Sequence, residues 1–512
     1  MTDDRPARMP MELRVATWAR VCLFAGAALF VLVCTLIIGL RLSYPFELEW
    51  MEGATVDHVR RVIDGRPLYG PPTLDFVPFI YTPGYYYVGA LATAWLGDGF
   101  VPLRLVSIGS SVGSVLLILS FVRRESGSAE SAFLAAALFV ATFGASGHWF
   151  DLARADNLAL CLSLAAVWLL RFAPRPSGAA AAGLLLAVGV LTKQGTLAVV
   201  PPLAVAYAFA VPGARLAFAV AFAVPFTAAL LFFHLSTGGW FTYYVFSLPS
   251  QHPWTSEMWT RFWTGDVLRW LPVAAAFSLY ALYAVGRQSL GRSVLLAAFL
   301  GGFVGSSWLA RLHEGGYFNT LMPAHAALAV LFGIGQARLR AWLGPSSSTL
   351  APRGVLGVYV ACLIQFGMLV YNPFRQVPDA NDLAAGHRLL TQIAGIEGDV
   401  YLPFHGYLPA LAGKRSYAHE MAIRDIFKGH DERIEQQLAD EIDKAFRQHR
   451  FAAVILDGPS VFESLDESYD EVGRIFEQER VFLPVTGRRT RPETIHLPHP
   501  RTDPPARDEP VR

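Results

Sequence analysis

Twenty consecutive residues without a charge, Val21–Leu40 (VCLFAGAALFVLVCTLIIGL), constrain the fold more than any other feature of this chain. About 20 apolar residues in a helix cross the hydrocarbon core of a bilayer. Similar runs recur up to residue 370, and only 16% of the 512 residues are charged, whereas an average soluble protein has about 25%. The pattern predicts an all-α polytopic membrane protein over residues 1–371.

The apolar runs predict about eleven transmembrane helices. In chain order the predicted spans are Val21–Leu40, Arg104–Val122, Ser131–Gly147, Ala153–Leu170, Ala179–Thr192, Leu197–Val211, Leu216–His234, Val267–Val285, Val294–Leu309, Phe318–Gly335 and Val355–Val370. The run Tyr85–Gly97 is too short to cross, so we expect an interfacial or re-entrant helix there.

Short basic turns fall on a single side of this arrangement. With a cytoplasmic N-terminus, the positive-inside rule is satisfied, because the inner segments carry Arg14, Arg20, Arg123, Arg124, Arg171, Arg175, Arg215, Arg287, Arg292, Arg338, Arg340 and Arg353. The long loops Arg41–Pro83, Ser236–Asp266 and Arg311–Tyr317 then lie on the extracytoplasmic side, together with the C-terminal segment. We therefore expect a multi-pass protein of the cell (inner or plasma) membrane.

The first long loop and the C-terminal segment both contain structured parts. Apolar residues recur at helical spacing in Glu52–Asp64, which predicts a helix lying on the membrane surface. Residues 372–498 are predicted to form a small extracytoplasmic α/β domain. Its predicted helices are Asn381–Ala394 and Glu432–Gln448, and its predicted strands are Val400–Leu402, Phe451–Leu456 and Arg480–Val485. The proline-rich, charged residues 499–512 are predicted to be disordered.

Three carboxylates, Glu47, Glu49 and Glu52, follow the first span within FELEWMEG. Carboxylates at an apolar boundary are costly unless they are solvated, paired or functional. On a helix, Glu49 and Glu52 would share one face, and repulsion between them would raise one pKa. Such a carboxylate suits a general base near neutral pH. The alternative is a solvated loop without a catalytic role.

Two further polar segments interrupt the apolar pattern. In HWFDLARADNLAL, Asp151, Arg154 and Asp156 lie at a junction between spans, either in the same pocket as the glutamates or as a structural pair. Lys193 is the first lysine of the chain and breaks an apolar hairpin on the extracytoplasmic side. It is a candidate for binding a lipid phosphate. Snorkelling to ordinary headgroups is the alternative.

The loop that begins at Arg311 carries a third polar group, in RLHEGGYFNTLMP. Arg311 is a candidate for phosphate binding, as is Arg154. His313 and Asn319, and Tyr81 in the aromatic first loop, are candidates for contacts with an acceptor or a sugar. A glycine turn with charged flanks explains this loop equally well, and for His313 alone it is the favoured interpretation.

The sequence lacks a Walker loop, a nucleotide-binding fingerprint, a CxxC pair and an HExxH motif. Basic tracts with interleaved aromatic residues are also absent, so nucleic acid is not an expected partner. No cofactor is required by these residues. A divalent metal held by Glu49, Glu52 and Asp156 is compatible with the sequence, although the spacing does not demand one.

The order of these motifs resembles the polytopic membrane glycosyltransferases of the C-type fold (GT-C), and most of all the bacterial branch related to protein mannosyltransferases and aminoarabinose transferases. The matching segments are EWMEG, IDGRPLY, YTPGYYYVGAL, PLRLVSIGSSVG, LARADNLALCLSLAAVWLLR, LTKQG and GGYFNTLMPAHAALAV, within about Glu47–Gly335. The resemblance implies a polyprenyl-phosphate-linked sugar as donor. It implies Glu52 as the base, with Glu49 as competitor. Asp156, or less well Asp151, resembles the second acidic site, and Lys193 the phosphate-binding residue.

One departure concerns the base, since many relatives carry aspartate in the first loop and this chain has glutamates. The predicted function is transfer of a sugar to a hydroxyl acceptor of undefined class at the extracytoplasmic face, in assembly of an envelope glycan or glycoconjugate. A flippase or transporter of lipid-linked sugars is the alternative, and it predicts charges deep within several spans. A scaffold whose outer domain binds envelope glycan is a third hypothesis.

Overall fold

The computed structural model describes residues 11–344, 351–460 and 462–500, and most of them are helical. The helices longer than ten residues are α1 (Met11–Arg41), α2 (Glu52–Ile63), α3 (Gly84–Leu96), α4 (Phe100–Ser126), α5 (Ala129–Ala141), α6 (Asp156–Phe172), α7 (Pro176–Thr192), α8 (Val200–Ala210), α9 (Arg215–Ser236), α10 (Pro272–Gly286), α11 (Leu290–Leu312), α12 (Met322–Leu343), α13 (Ala351–Gly367), α14 (Ala380–Gly395) and α15 (Glu432–Arg447). Shorter α-helices are Trp240–Thr242, Leu248–Gln251, Met258–Arg261, Tyr407–Leu411, Glu420–Phe427 and Glu463–Asp466.

Every predicted span overlaps one of these helices, because a backbone in an apolar environment has to satisfy its hydrogen bonds within the helix. Five described helical stretches are long and apolar enough to cross a membrane: Arg14–Arg41, Phe100–Ser126, Pro212–Ser236, Leu290–Leu312 and Phe318–Leu343. A sixth is formed if Met258–Leu268 and Pro272–Gly286, which meet at a bend of 93°, make one span. The protein thus has several membrane-capable helices, while the count of eleven and the orientation stay predictions.

Glycine allows two helix pairs of the bundle to approach closely. A Cβ at Gly183 of α7 would overlap the carbonyl oxygen of Phe218 in α9. A Cβ at Gly335 of α12 would likewise overlap the carbonyl oxygen of Phe277 in α10. Small residues at helix contacts are a common means of packing in membranes, where the apolar lipid does not drive helices together.

The first loop forms a wall between the bundle and the C-terminal residues. Helix α2 is confirmed, but its apolar residues Val56 and Val59 are buried against protein. These residues therefore pack on protein, and the position of α2 at the membrane surface stays a prediction. A Cβ at Gly53 on the same helix would collide with the ring of Tyr407 from the C-terminal segment, so protein covers α2 there too.

The C-terminal segment contains a four-stranded sheet of order β1-β2-β4-β3. Its strands are β1 (Val400–Tyr401), β2 (Ala453–Leu456), β3 (Tyr469–Arg474) and β4 (Thr494–Pro498). Strands β1 and β2 are parallel, and the other two neighbouring pairs are antiparallel. Both predicted helices and the first two predicted strands are confirmed.

The predicted strand Arg480–Val485 is wrong. Its apolar residues pack as a loop instead: Phe482 has a φ of +59°, and its ring lies 5.1 Å from that of Phe46 in the first loop. Pro484 in the same stretch cannot donate a ladder hydrogen bond. Of the predicted disordered tail, residues 501–512 lie outside the described residues.

Two hydrophobic cores result. One fills the helix bundle, and the other joins the first loop, the start of α4 and the C-terminal sheet and helices. Phe46, Val59 and Phe100 share this second core with Leu389 and Ile455. The C-terminal segment therefore packs continuously with the first loop, and the domain boundary near residue 372 stays a prediction.

The substitution Gly335→Ala should lower the thermal unfolding midpoint of the detergent-solubilised protein. Its Cβ would force α12 away from α10, and overpacking of this kind costs about 1–3 kcal/mol. Gly26→Ala in α1, where no atom lies within 4 Å of the added Cβ, is the matched control and should leave the midpoint unchanged. Size-exclusion chromatography after heating measures both. Equal midpoints would contradict the close approach of α10 and α12.

Candidate active site

Charged side chains gather where the C-terminal end of α1, the N-terminal ends of α4 and α6, and the C-terminal end of α7 meet. We call this the polar end of the bundle. The segment 147–155 before α6 and the 3₁₀ turn Phe318–Leu321 before α12 also reach it. The first loop and the C-terminal segment cover it, so its charges are largely withdrawn from solvent.

Glu52 forms a fully buried ion pair with Arg104. Its Oε2 lies 2.8 Å from Nη2 and its Oε1 lies 3.2 Å from Nε, and neither side chain has exposed surface. The same two oxygens accept hydrogen bonds from the backbone N–H groups of Leu48 and Ala153. Burial alone would raise the pKa of Glu52, but the Arg104 charge and these N–H groups outweigh burial and lower it. Glu52 is therefore held as a carboxylate whose two oxygens are both fully hydrogen-bonded.

Glu49 is equally buried but incompletely paired. Its Oε2 lies 3.4 Å from Nη1 of Arg154 and accepts the N–H of Met51. Its Oε1 has no hydrogen-bond partner among the described residues. Burial raises the pKa of Glu49 to about 7, against the opposing charge of Arg154. A carboxylate with an unused oxygen and a near-neutral pKa is suited to accept a proton.

Arg154 connects Glu49 to the aromatic wall of the first loop. Its Nη2 donates to the hydroxyl of Tyr81 at 3.1 Å. Its guanidinium lies 5.5 Å from the ring centre of Tyr81 and 5.7 Å from that of Trp149. The planar group is thus fixed between two rings, which orients its charge toward Glu49.

Asp156, the first residue of α6, bonds to three side chains. Its Oδ1 forms a salt bridge with Lys193 Nζ and accepts a 2.8 Å hydrogen bond from Asn319 Nδ2. Its Oδ2 accepts from Trp149 Nε1 at 3.1 Å. Lys193 directly follows α7 and keeps 22% of its side chain exposed, so one carboxylate orients a partly accessible ammonium.

Two small cavities meet at Asp156 and Lys193. One, of about 50 Å³, runs along apolar residues such as Leu160, Val199 and Phe303. The other, of about 10 Å³, is lined by Tyr81, Tyr85, Tyr86 and Arg154. The ammonium of Lys193 therefore separates an apolar groove from an aromatic and cationic pocket.

Glu47, the remaining carboxylate of the first loop, faces the C-terminal segment. Its Oε2 lies 2.7 Å from Nδ1 of His405, whose Nε2 lies 2.9 Å from Oδ2 of Asp457. Although burial lowers it, the pKa of His405 is raised to about 10 by these two carboxylates. Glu47 thus serves as one half of a buried clamp on an imidazolium.

Comparisons with known proteins identify the fold. The family described as Dolichyl-phosphate-mannose-protein mannosyltransferase matches residues 80–240, and no curated protein sequence matches the chain. The structure of ArnT from Cupriavidus metallidurans bound to undecaprenyl phosphate superimposes with a TM-score of 0.60 at 14% identity, over 92% of this chain and 97% of that one.

Two further solved structures are similar. Archaeal oligosaccharyltransferase AglB from Archaeoglobus fulgidus, in complex with an inhibitory peptide and a dolichol-phosphate, gives a TM-score of 0.51 at 11% identity over 85% of this chain and 69% of that one. Arabinofuranosyltransferase AftD from Mycobacteria gives 0.50 at 13% identity, over 93% and 40%. The chain has the C-type glycosyltransferase fold. The resemblance predicted from the sequence is confirmed.

Within this C-type fold, the polar end unites six of the nine predicted site residues: Glu49, Arg154, Tyr81, Asp156, Lys193 and Asn319. Glu52 lies beside them but is occupied by Arg104. Arg311 is paired with Asp266, its Nε 2.7 Å from Oδ2, and donates to the carbonyl of Gly316. His313 contacts the carbonyl oxygens of Glu314 and Pro249. The roles of all nine stay predictions.

The three acidic residues named as possible metal ligands are bound to different partners. The oxygens of Glu52 bond to Arg104, whereas Asp156 bonds to Lys193. Asp151 pairs with Arg41 at 2.8 Å. In residues 11–344, 351–460 and 462–500, no group of three His, Cys, Asp or Glu side chains is arranged to hold an ion. A metal at Glu49, Glu52 and Asp156 would have to displace two existing cations.

Three important residues were not chosen from the sequence: Arg104, His405 and Asp457. Arg104 had a usable signal, because it is the only charge in α4 before Arg123 and a lone buried guanidinium needs a carboxylate. His405 had none, since it lies 358 residues from Glu47 in an unremarkable loop.

Replacement of Glu52 and replacement of Glu49 should have different effects on the thermal unfolding midpoint. Glu52→Gln leaves Arg104 buried without its counter-charge, and breaking a buried pair costs about 3–5 kcal/mol. Glu49→Gln removes a carboxylate that is only partly paired, so the unfolding midpoint should change little. Thermal unfolding of both variants in the same detergent is the measurement. Midpoints that fall equally, or a stable Glu52→Gln, would contradict a purely structural Glu52.

Proposed function

We propose that this protein transfers a sugar from a polyprenyl-phosphate-linked donor to a hydroxyl acceptor at the extracytoplasmic face of the membrane, in assembly of an envelope glycan or glycoconjugate. The observation that carries the proposal is the presence at one site of Glu49, which has an unused oxygen, and Lys193, which lines an apolar cavity. The turn 154–156 joins them, since Arg154 contacts Glu49 and Asp156 contacts Lys193.

Glu49 rather than Glu52 is our candidate for the base. A general base needs a free lone pair within reach of the acceptor hydroxyl and a pKa near the working pH. Glu49 has an oxygen without a hydrogen-bond partner among the described residues, and burial raises its pKa to about 7. The oxygens of Glu52 are fully engaged and its pKa is lowered, so proton transfer to it would disrupt the Arg104 pair.

Lys193 is our candidate for binding the donor phosphate. An ammonium between an apolar groove and a polar pocket is placed to receive a phosphate whose polyprenyl chain follows the groove. Asn319 and Tyr81 are candidates for contacts with the sugar, because their hydrogen bonds to Asp156 and Arg154 hold them at this site. Arg311, already paired with Asp266, is a weaker candidate for a phosphate ligand.

In the proposed step the acceptor hydroxyl loses its proton to Glu49 as its oxygen bonds to the anomeric carbon of the sugar. The bond between that carbon and the phosphate oxygen breaks, and polyprenyl phosphate leaves with the electron pair. Lys193 stabilises the charge gained by the phosphate. Because phosphate is a good leaving group, positioning and charge stabilisation supply most of the catalysis.

The names of two neighbours agree with this donor class. ArnT is bound to undecaprenyl phosphate and AglB to a dolichol-phosphate in their structures. The matching family is described by its use of dolichyl-phosphate-mannose. From these proteins we adopt only the polyprenyl phosphate carrier for our proposal. The sugar and the acceptor have to be identified by experiment.

Transfer in detergent micelles tests the function directly. Purified protein is mixed with radiolabelled polyprenyl-phosphate sugars and extracts of envelope acceptors, and the label is followed into the water-soluble or acceptor fraction. An enzyme works without a sealed bilayer, whereas a flippase moves its substrate only between two compartments. Label transfer by the wild type and not by Glu49→Gln supports the proposal. Movement of intact donor in vesicles without transfer in micelles favours the flippase. If neither transfer nor movement is observed, the scaffold is favoured.

The pH dependence of transfer should follow Glu49. Its pKa of about 7 means that the base is protonated and inactive below neutrality and ionised above it, so kcat/KM should rise with pH through a midpoint near 7. Glu49→Gln should lower the rate by about 10²–10⁴-fold and remove this rise. An unchanged profile in Glu49→Gln would assign the base elsewhere.

Lys193→Gln should weaken binding of undecaprenyl phosphate roughly 10- to 100-fold, because a hydrogen bond to a charged group contributes about 1.5–3 kcal/mol. Binding of the radiolabelled lipid to the purified protein is the measurement. Lys414→Gln is the matched control, since Lys414 donates to the carbonyl oxygens of Ile396 and Gly398 in the C-terminal segment. Equal affinities for the Lys193 and Lys414 variants would remove Lys193 from the donor site.

A further inference from the structure

A further cavity, of about 220 Å³, lies in the C-terminal segment away from Lys193. We call it the C-terminal cavity. Its lining includes Tyr401, Phe404, Arg424, Asp457, Arg488 and Thr490. It opens beyond the carboxyl ends of the parallel strands β1 and β2, where Pro403 and Phe404 follow β1 and residues 457–460 follow β2. Ligands of open α/β sheets bind at this edge.

Two buried hydroxyls of the lining are unsatisfied. Tyr401 is 1% exposed and Thr490 is 3% exposed, and neither Tyr401 Oη nor Thr490 Oγ1 has a hydrogen-bond partner among the described residues. Buried polar groups are nearly always paired, because an unpaired one is costly. A ligand in the cavity that supplies hydrogen-bonding oxygens would satisfy both hydroxyls.

The charges of the lining favour an anion. Arg424 is paired with Glu420, and Asp457 is paired with the His405 imidazolium. Arg488 and Arg489 also line the cavity and form no salt bridge with any residue in the described ranges. The guanidinium groups of Arg424 and Arg488 each lie 5.4 Å from the ring centre of Phe404. The uncompensated charge is therefore positive and borne by guanidinium groups, which suit phosphate and carboxylate.

A short loop connects the C-terminal cavity to Glu49. The backbones of Thr486 and Glu49 pair as an isolated parallel β-bridge. A Cβ at Gly487 would lie 3.1 Å from Glu49 Oε1. The next three residues, Arg488, Arg489 and Thr490, line the cavity. On the other side, the ring of Trp50 lies 5.9 Å from that of Phe404. Consecutive residues of one loop thus contact Glu49 and line the C-terminal cavity.

We propose that the C-terminal cavity binds an anionic, sugar-sized group of the acceptor, with a phosphate or carboxylate held by Arg488 and Arg489 and sugar oxygens held by Tyr401 and Thr490. The assignment to the acceptor rests on the proposed glycosyl transfer, whereas the binding of the anion does not. The cavity anchors the acceptor while its hydroxyl reaches Glu49.

Calorimetric titration of the full-length protein in detergent tests the binding. The probes are glucuronic acid, glucose 6-phosphate, inorganic phosphate and uncharged methyl glucoside. The two anionic sugars should bind, methyl glucoside should not, and inorganic phosphate should bind at least tenfold more weakly than glucose 6-phosphate. Phosphate binding as tightly as its sugar ester would show a free-ion site and overturn the proposal. Arg488→Gln combined with Arg489→Gln should weaken the anionic sugars at least tenfold, whereas Lys193→Gln should not affect glucuronic acid.

Conservative variants distinguish ligand contacts from structural ones. Tyr401→Phe and Thr490→Val remove the unpaired hydroxyls, so each should weaken glucuronic acid binding several-fold and raise the unfolding midpoint. Tyr244→Phe is the matched control, because the buried hydroxyl of Tyr244 is also unpaired among the described residues but lies outside the lining. The unfolding midpoint of this variant should rise with no change in affinity for glucuronic acid. Absence of binding, as expected if water alone fills the cavity, would overturn the proposal. Binding whose affinity is unaltered in all the cavity variants would also overturn it, because the probe would then bind elsewhere. Intact binding without any sugar transfer would instead overturn the proposed function.

Discussion

The ion pair between Arg104 and Glu52 holds together the polar end of the bundle. Arg104 also donates to the carbonyl oxygens of Arg41, Tyr44 and Phe46, while Glu52 accepts from the backbone of Leu48 and Ala153. One buried pair thus ties the end of α1, the first loop, α4 and the segment before α6. A buried charge is tolerated only when its hydrogen bonds are satisfied, so these segments have little freedom to separate.

This constraint gives three neighbouring glutamates three different environments. Glu52 is saturated by Arg104, Glu47 is held by the His405 imidazolium, and Glu49 retains an unused oxygen beside Arg154. Similar carboxyl groups take different chemical roles when their surroundings move their pKa values apart. The pKa of Glu52 is lowered and that of Glu49 is raised to about 7. The residue best placed to accept a proton is therefore the one that its neighbours leave incompletely paired.

The sequence predicts local features well and distant pairings poorly. Helix positions follow from apolar runs, and the gathering of Glu49, Asp156 and Lys193 follows from alternation of the spans. Motif position favours Glu52 over Glu49 as the base. Local spacing contains no information about Arg104, which lies on another helix and pairs with Glu52. Arg311 looked available because Asp266, its partner, lies 45 residues away. The apolar pattern of Arg480–Val485 is that of a strand, whereas its Phe482 packs on Phe46 of the first loop.

Gly487 explains why the C-terminal segment and the candidate base have to be considered together. Its φ of +80° is a left-handed conformation that favours glycine, and a side chain there would lie 2.8 Å from Trp50 and 3.1 Å from Glu49. The backbone of the C-terminal segment therefore forms part of the wall around Glu49. The buried imidazolium of His405, clamped between Glu47 and Asp457, fixes the same two segments from the other side. Displacement of the C-terminal segment would uncover Glu49 to water, lower its pKa and remove the property that makes it a useful base.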